Sequence, residues 1–502
     1  MTVRDLLLAR AEDDGPALLW REDEEVRSLS WREYVVAAAT LAAALESRLD
    51  PAKPPHVGVR LPNGPAFALH LAAAGLGGHV LVGLNTTRRG AAVDEDVARA
   101  DCQYVVDSPD LAMDAVVSTG STDLGRSTDP GWSSLSRPTT TDDSLFMLIF
   151  TSGTSGSPKA VRITQQKVAG PGVMLAERFG LGPQDVAYVS MPLFHSNAVM
   201  AGWAVALAAG AATAVSGFSA SGFLPDVRRF GATYANYVGK PLAYVLATAE
   251  RPDDADNPLR TVFGNEANEG DIAEFGRRFG CTVVDSYSST ENAVIVQRRP
   301  GMPAGSLGWP LEGVKVLRED GTETPEAVFD ADGRLVNADE AIGELVNTTG
   351  AGAFAGYYND PDAESERMRG GTYWSGDLAY RDADGWIYFA GRTGDWLRVD
   401  GENLAAAPIE RILLRHPAIS EAAVYALPDR VGDKVACALV LRGALCADEL
   451  WAFLAEQPDL SPKAWPSIVH VLDTLPRTAT NKVLKWQLRE LDAGLGETWA
   501  RG

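Results

Sequence analysis

The sequence predicts an α/β protein with a large N-terminal domain and a small α+β C-terminal domain. Helical and strand-like runs alternate up to about residue 310, short strands with tight turns follow from about residue 343, and the pattern changes again after Arg392. Alternating strands and helices favour layered α/β structure, whereas clustered strands with Asp-Gly turns favour antiparallel sheet. We therefore expect layered α/β subdomains plus a β-rich subdomain in residues 1–393, and a compact α+β domain in residues 394–502.

The N-terminal elements follow from local patterns. The Ala-rich run WREYVVAAATLAAALESRL after Ser30 predicts a long helix, and HVGVRLPNG predicts a short strand that ends in a turn. SLFMLIF (144–150) has six apolar residues in seven, which is typical of a strand buried on both faces. The uncharged stretch 196–225 is rich in Ala and Gly rather than in residues that drive membrane insertion, so it predicts a buried helix followed by a strand.

The C-terminal third has its own set of elements. YWSGDLAYR and WIYFAGR flank the turn DADG, whose Asp-Gly step predicts a β-hairpin. Beyond it we expect, in order, the strand WLRV, a helix with Pro408 in its first turn, the strands EAAVYAL and KVACALVL, the helix ADELWAFLAE and the strand SIVHVL.

The charge of the chain restricts its partners. Its 502 residues include 45 Lys and Arg against 67 Asp and Glu, a net charge of −22. Nucleic acid and anionic membrane surfaces are disfavoured because both need a basic face. An anionic substrate must therefore meet locally placed cations.

The cysteines and the N-terminus indicate a cytoplasmic protein. The four cysteines form no CxxC pair and are expected to be reduced and buried, and the N-terminus lacks the apolar core of a signal peptide. We expect no integral membrane segment, and the sequence leaves peripheral membrane contact and oligomeric state open.

Residues 151–159 read TSGTSGSPK, directly after the buried strand. Gly and small hydroxyl residues let backbone N–H groups surround phosphate oxygens, and the terminal lysine adds a positive charge. The segment is not a Walker loop, because Ser157 and Pro158 separate Gly156 from Lys159. Taken alone, it is also compatible with a Ser/Gly surface loop.

Five segments in a fixed order carry a family resemblance. They are IFTSGTSGSPKAV, MPLFHSN (191–197), YSSTEN (287–292), YWSGDLAYRDADGWIYFAGRTGDWLRVDGENLAAAPIE (373–410) and PRTATNKVLK (476–485). Together they resemble the adenylate-forming superfamily, which includes acyl-CoA synthetases, peptide-synthetase adenylation domains and beetle luciferases. GRTGDWLRVDGEN and the GNE of 264–266 are most similar to the fatty-acid or very-long-chain acyl-CoA synthetase branch, which includes the fatty-acid transport proteins.

The resemblance implies a two-step ligase with ATP, Mg²⁺ and CoA. A carboxylate would attack the α-phosphate of ATP to give acyl-AMP and pyrophosphate, and a thiol would then displace AMP. The acid would be a fatty acid or a bulky acid such as a steroid side-chain carboxylate. Two alternatives stay open: an acyl-AMP ligase that passes the acyl group to a carrier protein, and a non-catalytic lipid-binding or transport protein.

The resemblance also implies roles for individual residues. Lys482, Glu291 and Thr290 would be catalytic: Lys482 stabilises the transition state, Glu291 binds Mg²⁺ and Thr290 reaches the α-phosphate. The other phosphate-binding positions would be Thr151, Ser152, Gly153, Thr154, Ser155, Gly156 and Lys159. The remaining nucleotide-binding positions would be Gly264, Asn265, Glu266, Tyr287 under the adenine, Ser288, Ser289, Asp377 on the ribose hydroxyls, and Arg392.

The remaining implied positions concern the acyl group, CoA and the hinge. His195, Ala267 and Ala293 would line the acyl pocket, Gly401 and Glu402 would contact CoA, and Gly394 would be the hinge. The sequence departs from the family pattern at Asn481, where a Gly is usual, and at Gly394, where many members carry Asp or Lys. It also has Asp400 in place of the first Gly of the common GGEN form, and a negative charge beside a CoA channel argues against free CoA.

Overall fold

A computed structural model describes most of the chain. The described residues are 1–119, 140–151, 158–267, 269–287, 289–331, 335–392, 396–399, 402–428, 433–457, 460, 462–477, 483–489 and 497–501. Contacts divide the chain into a first unit, Met1–Ser286 with Ala353–Glu364, and a second unit, Tyr287–Gly352 with Ser365–Gly502. The domain division at residue 393 remains a prediction.

Helices and strands alternate through the first unit and give way to strand-rich structure in the second. The helices are α1 Val3–Leu8, α2 Trp31–Glu46, α3 Pro65–Gly77, α4 Ala91–Arg99, α5 Asp110–Thr119, α6 Gln165–Phe179, α7 Ser196–Ala198, α8 Ala204–Ala209, α9 Phe223–Phe230, α10 Pro241–Leu246, α11 Glu269–Phe279, α12 Ala338–Ala341, α13 Pro361–Arg367, α14 Ala406–Leu413, α15 Ala447–Ala455 and α16 Lys485–Arg489. A π-helix, Val199–Trp203, separates α7 from α8.

The strands, numbered in chain order, are β1 Pro16–Glu22, β2 Glu25–Ser30, β3 His56–Val59, β4 Val80–Gly83, β5 Cys102–Val106, β6 Leu145–Thr151, β7 Lys159–Thr164, β8 Val186–Val189, β9 Ala212–Val215, β10 Tyr234–Val238, β11 Thr261–Asn265, β12 Thr282–Asp285, β13 Val296–Gln297, β14 Ser306–Pro310, β15 Val314–Leu317, β16 Gly343–Asn347, β17 Met368–Arg369, β18 Thr372–Arg381, β19 Ile387–Arg392, β20 Trp396–Val399, β21 Glu402–Ala405, β22 Ile419–Pro428, β23 Asp433–Leu441, β24 Ile468–Val471 and β25 Glu497–Ala500.

The first unit contains two mainly parallel sheets. One has the order β12-β11-β10-β8-β9-β1-β2, and the other has the order β5-β3-β4-β6-β7. The edge strands β2 and β7 run antiparallel to their neighbours. This architecture confirms the predicted α/β class, and residues 146–149 of β6 are buried as predicted.

Local sequence explains how the first unit's helices begin. The Ser30 hydroxyl accepts the N–H of Glu33 and the Glu33 carboxylate accepts the N–H of Ser30, a reciprocal capping arrangement at the start of α2. The stretch 196–225 forms α7, the π-helix, α8 and β9, which confirms the predicted helix and strand. Within the described ranges, no helix has the length and apolar character needed to cross a bilayer.

The second unit is built mainly from antiparallel sheet. Its larger sheet has the order β13-β14-β19-β18-β16-β15, with β17 paired to β18, and β18 and β19 form the predicted hairpin. The C-terminal part contains the ribbon β20-β21 and the sheet β22-β23-β24-β25. Its core includes Leu397, Ile409, Val424, Cys437 and Leu450.

All four cysteines are free thiols, as expected for a reduced chain. Their predicted burial holds for Cys437, whereas Cys102 and Cys281 are partly buried. Cys446 is exposed, and for this residue the prediction was wrong. It precedes the first residue of α15, a position where the side chain lies outside the helix.

A buried polar contact links α2, α3 and the π-helix. The Tyr34 hydroxyl donates to the carbonyl oxygen of Ala68 at 2.5 Å and accepts the indole N–H of Trp203 at 3.0 Å. Trp203 also stacks on Phe146 of β6, with ring centroids 6.2 Å apart. Because Tyr34 is 1% exposed, water cannot replace its hydrogen bonds.

Replacing Tyr34 tests this contact. Tyr34→Phe leaves the Trp203 N–H and the Ala68 carbonyl without their buried partner, so we expect the free energy of unfolding to fall by about 1–3 kcal/mol. Urea denaturation followed by circular dichroism measures it. Tyr244→Phe, at an exposed tyrosine of α10, is the control and should change stability by less than about 0.5 kcal/mol. Equal stability of the two variants would contradict the assignment.

Candidate active site

The Gly/Ser/Thr segment connects the two strands of an antiparallel hairpin. Thr151 ends β6, Lys159 begins β7, and the two residues are cross-strand partners. The Lys159 ammonium lies 5.5 Å from the centroid of the Tyr357 ring, a cation–π contact. The chain that contains Tyr357 is held against β7, because the Tyr358 N–H donates to Ala160 O at 2.8 Å. Lys159 is thereby fixed at the base of the segment, and its role in phosphate binding remains a prediction.

The GNE segment spans the end of β11: Gly264 and Asn265 are the last two residues of the strand, and Glu266 follows it. Gly264 has no room for a side chain, because a Cβ there would overlap the carbonyl oxygen of Tyr237 on β10. Glu266 has a φ of 69°, a left-handed conformation that is uncommon for residues other than glycine. Asp285 holds the chain beyond it: Asp285 Oδ2 accepts the Ala267 N–H at 3.1 Å and the Tyr237 hydroxyl at 2.6 Å. Sequence reasoning missed Asp285, although a carboxylate at the carboxyl end of a parallel strand could have indicated it.

Three asparagines form a hydrogen-bonded amide chain. Asn236 Nδ2 on β10 donates to Asn197 Oδ1 at 2.6 Å, and Asn197 Nδ2 on α7 donates to Asn265 Oδ1 at 3.2 Å. This chain joins the MPLFHSN motif to the GNE motif, and the motif's His195 lies directly before α7. Asn236 is 3% exposed, and its Oδ1 has no hydrogen-bond partner among the residues described. Sequence reasoning missed Asn197 and Asn236, since neither motif indicates which side chains meet.

A small apolar cavity lies at one end of β8 and β10. Its lining includes Met191, Tyr237, Leu242 and Phe275. None of the three predicted acyl-pocket residues lines it. His195, Ala267 and Ala293 therefore remain predicted pocket residues.

In the second unit, the YSSTEN motif contains a turn. The Asn292 N–H donates to the carbonyl oxygen and the hydroxyl of Ser289, both at 3.2 Å, and Asn292 has a φ of 52°. Thr290 and Glu291 lie on this turn and are partly buried. Ala293 follows it, and the Ala293 carbonyl accepts the side-chain amide of Asn347 at 2.8 Å.

Tyr287, Asp377 and Arg392, three of the predicted nucleotide-binding residues, contact one another. The Tyr287 hydroxyl donates to Asp377 Oδ2 at 2.7 Å, and Arg392 Nε lies 3.3 Å from Asp377 Oδ1. Asp377 on β18 and Arg392 on β19 are also cross-strand partners. Burial, followed by the Asp377 charge, raises the pKa of Tyr287 well above its usual value, so the phenol stays protonated.

Other predicted residues lie outside the described part of the chain. These are Ser152, Gly153, Thr154, Ser155, Gly156, Ser288, Gly394, Gly401 and Lys482. The backbone of Glu402 begins β21. Lys485, the nearest alternative to Lys482 as the catalytic lysine, forms a 2.9 Å ion pair with Glu410 of α14 and therefore has a structural partner.

Two protein-family models match this chain. A model described as AMP-binding enzyme matches residues 8–358, and a model described as AMP-binding enzyme C-terminal domain matches residues 408–482. The chain therefore belongs to the AMP-binding enzyme family, which confirms the resemblance carried by its five motifs.

Two curated proteins and one solved structure are similar to this chain over nearly its full length. The chain is 54% identical over 497 residues to the medium/long-chain-fatty-acid–CoA ligase FadD17 of Mycobacterium marinum, covering 97% of this chain and 95% of the relative. It is 44% identical over 512 residues to the steroid-22-oyl-CoA synthetase of Rhodococcus jostii, covering 97% and 91%. Among solved structures, the AMP complex of Bacillus subtilis O-succinylbenzoate coenzyme A synthetase matches with a TM-score of 0.76 at 26% identity, covering 98% of this chain and 99% of that one.

The contact between Tyr287 and Asp377 can be tested with ATP. Tyr287→Phe keeps the ring and removes the hydroxyl that donates to the carboxylate, so we expect the KM for ATP to rise about tenfold, the scale of a hydrogen bond to a charged group. Because the raised pKa keeps the phenol neutral, the variant and the parent should show the same pH dependence between about pH 6 and 9. Pyrophosphate release at varied ATP concentration measures both.

The control for this test is Tyr388→Phe. The Tyr388 hydroxyl donates to Asp382 Oδ2 at 3.1 Å, a phenol–carboxylate contact in the same sheet but at the hairpin turn. Tyr388→Phe should leave the KM for ATP unchanged. A similar rise in both variants would show that the effect is general loosening of the sheet.

Proposed function

We propose that this protein is an ATP-dependent acid–CoA ligase that acts on medium- or long-chain fatty acids. The observation that carries the proposal is the 54% identity, over 97% of this chain, to a relative named medium/long-chain-fatty-acid–CoA ligase. The contact of Tyr287 and Arg392 with Asp377 supports a nucleotide site in the second unit.

The first half-reaction forms an acyl-adenylate. A carboxylate oxygen of the acid attacks the α-phosphorus of ATP, the bond between that phosphorus and the bridging oxygen breaks, and pyrophosphate leaves with the electron pair. Lys159 and the segment before it would hold the departing phosphates, and Asp377 would hold the ribose hydroxyls. Negative charge increases on the transferred phosphoryl oxygens, so a nearby ammonium such as that of Lys482 lowers the barrier.

The second half-reaction forms the thioester. The sulfur of CoA attacks the acyl carbonyl carbon, its proton passes to solvent, and the carbon–oxygen bond to AMP breaks. We assign Gly401 and Glu402 to CoA binding. We assign Gly394 to the hinge about which the C-terminal domain rotates between the two half-reactions. Glycine tolerates large changes of φ and ψ, which a pivot between two orientations requires.

Glu291 is the residue that we assign to Mg²⁺. Among the residues described, no group of three or more His, Cys, Asp or Glu side chains could hold a metal ion. Mg²⁺ is usually held by one or two carboxylates together with substrate phosphates and water, so one glutamate is enough for the assignment. The ion would neutralise phosphate charge during adenylation.

A second candidate substrate is a steroid-type carboxylic acid. The 44% identity to a steroid-22-oyl-CoA synthetase favours it. Transfer to a carrier protein and non-catalytic lipid binding are the alternatives that the assays below distinguish. We place the enzyme in the cytoplasm, with the acid, ATP and CoA as its partners and without nucleic acid.

A panel of acids tests the substrate class. Pyrophosphate release should be fastest with straight-chain acids of about 8 to 18 carbons and should require ATP and Mg²⁺. Faster release with a steroid acid bearing a side-chain carboxylate would reassign the substrate. Addition of CoA should give an acyl-CoA thioester detectable by mass spectrometry. Pyrophosphate release without thioester would point to a carrier protein, and release with no acid at all would sink the ligase assignment.

The lysine assignment can be tested in each half-reaction separately. Lys482→Ala should slow adenylation by roughly two orders of magnitude or more, because it removes a preorganised charge from the transition state. Thioester formation from supplied acyl-AMP should change far less. Lys485→Ala breaks the ion pair with Glu410 and serves as the control. Equal losses in both half-reactions for Lys482→Ala would refute the assignment.

A further inference from the structure

The sheet pairing beside Asp377 is interrupted by a bulge. On β16 and β18, Glu344 pairs with Leu378 and Val346 pairs with Trp374. Leu345 alone therefore faces three residues of β18, which are Ser375, Gly376 and Asp377. A bulge of this kind removes backbone N–H groups from the ladder and changes the direction of the side chains that follow.

Side chains accept the two N–H groups at the bulge. Glu344 Oε1 accepts the N–H of Gly376 at 2.6 Å, and Ser375 Oγ accepts the N–H of Asp377 at 3.0 Å. The Ser375 hydroxyl in turn donates to the carbonyl oxygen of Leu345 at 2.5 Å. The bulge is thus tied to β16 at its centre by one carboxylate and one hydroxyl.

The bulge also requires glycine at position 376. Gly376 has a φ of 76°, and a Cβ there would overlap the guanidinium of Arg367. Side chains other than glycine rarely adopt this conformation. The backbone that leads into Asp377 is therefore fixed by its conformation, by packing and by two hydrogen bonds.

Burial and neighbouring charges affect the pKa of the Glu344 carboxyl group. Burial raises the pKa of Glu344, and the Asp377 charge adds to that rise, while the Gly376 N–H and the nearby Arg369 and Arg367 lower it. Burying a carboxylate costs free energy unless the group is hydrogen-bonded or paired with a cation. Here a backbone N–H and nearby arginines offset the cost of burying Glu344. Asp377 itself is 8% exposed and contacts Tyr287 and Arg392.

We propose that Glu344 is a positioning residue for nucleotide binding: by holding the N–H of Gly376, it fixes the direction in which Asp377 presents its carboxylate to the ribose hydroxyls. Glu344 acts through Gly376 and does not itself touch the nucleotide. Ser375 has the same function at the neighbouring N–H. This inference rests on the proposed role of Asp377 as the ribose ligand.

Binding of two nucleotides separates positioning from general stability. AMP and 2′,3′-dideoxy-AMP differ only in the two ribose hydroxyls, which would donate hydrogen bonds to the Asp377 carboxylate. Glu344→Ala should weaken AMP binding by about tenfold, the scale of one hydrogen bond to a charged group. It should leave 2′,3′-dideoxy-AMP binding unchanged. Isothermal titration calorimetry on the full chain measures both.

Three further variants sharpen the test. Glu344→Gln keeps an acceptor oxygen for Gly376 and should recover most of the AMP affinity, while Ser375→Ala should give a smaller loss than Glu344→Ala. Asp382→Asn is the matched control, because Asp382 accepts the Trp386 N–H at 2.8 Å in the turn of the same hairpin. It should change AMP binding little, even if it lowers thermal stability.

A double-mutant cycle tests whether Glu344 affects AMP affinity through Asp377. In an Asp377→Asn background, Glu344→Ala should produce no further loss of AMP affinity, because the side chain that it positions has already changed. Additive losses, or equal losses for AMP and 2′,3′-dideoxy-AMP in Glu344→Ala, would overturn the proposal. The ligase assignment depends on a different measurement, pyrophosphate release with acids, so the two can fail independently.

Discussion

In each unit, the backbone beside predicted nucleotide-binding residues depends on a carboxylate that accepts an N–H group where regular sheet pairing stops. Asp285 does this at the end of β12, where it takes the Ala267 N–H and so shapes the chain after the GNE motif. Glu344 does it at the bulge in β18. A buried N–H without a partner costs free energy, so irregular backbone is stable in a sheet protein only where such acceptors exist. Asp285 and Glu344 thereby fix the backbone beside residues that we predict to bind the nucleotide.

Sequence reasoning correctly predicted the structural elements that follow from neighbouring residues along the chain. The buried strand β6, the Ala-rich helix α2 and the β18-β19 hairpin were all predicted from local pattern, because apolar runs, helix-forming composition and tight turns are short-range signals. Tyr287, Asp377 and Arg392 were predicted through motif resemblance, and the structure brings them together.

The residues that were missed depend on contacts across the sheets. Asn236 and Asn197 are 39 positions apart, and Glu344 and Gly376 are 32 apart. No local pattern marks such pairs, since they exist only once strand order and register are set. Gly376 illustrates the difference: the sequence places it in a strand, whereas the register of β16 and β18 makes it the centre of a bulge. Motifs therefore supplied the candidate nucleotide-binding residues, whose roles stay predictions, but they did not indicate the residues that hold the neighbouring backbone.

The order of the chain through the two units has a consequence for biosynthesis. Residues 353–364 belong to the first unit although residues 287–352 before them belong to the second. The returning segment supplies backbone partners for β7, since Arg162 N donates to Gly356 O and Tyr358 N donates to Ala160 O. A nascent chain that has emerged only as far as Ser286 would therefore leave this edge of β7 unpaired, with backbone groups available to other strands. The first unit can close only after about 80 further residues have been synthesised, a delay during which chaperone protection of that edge would be most useful.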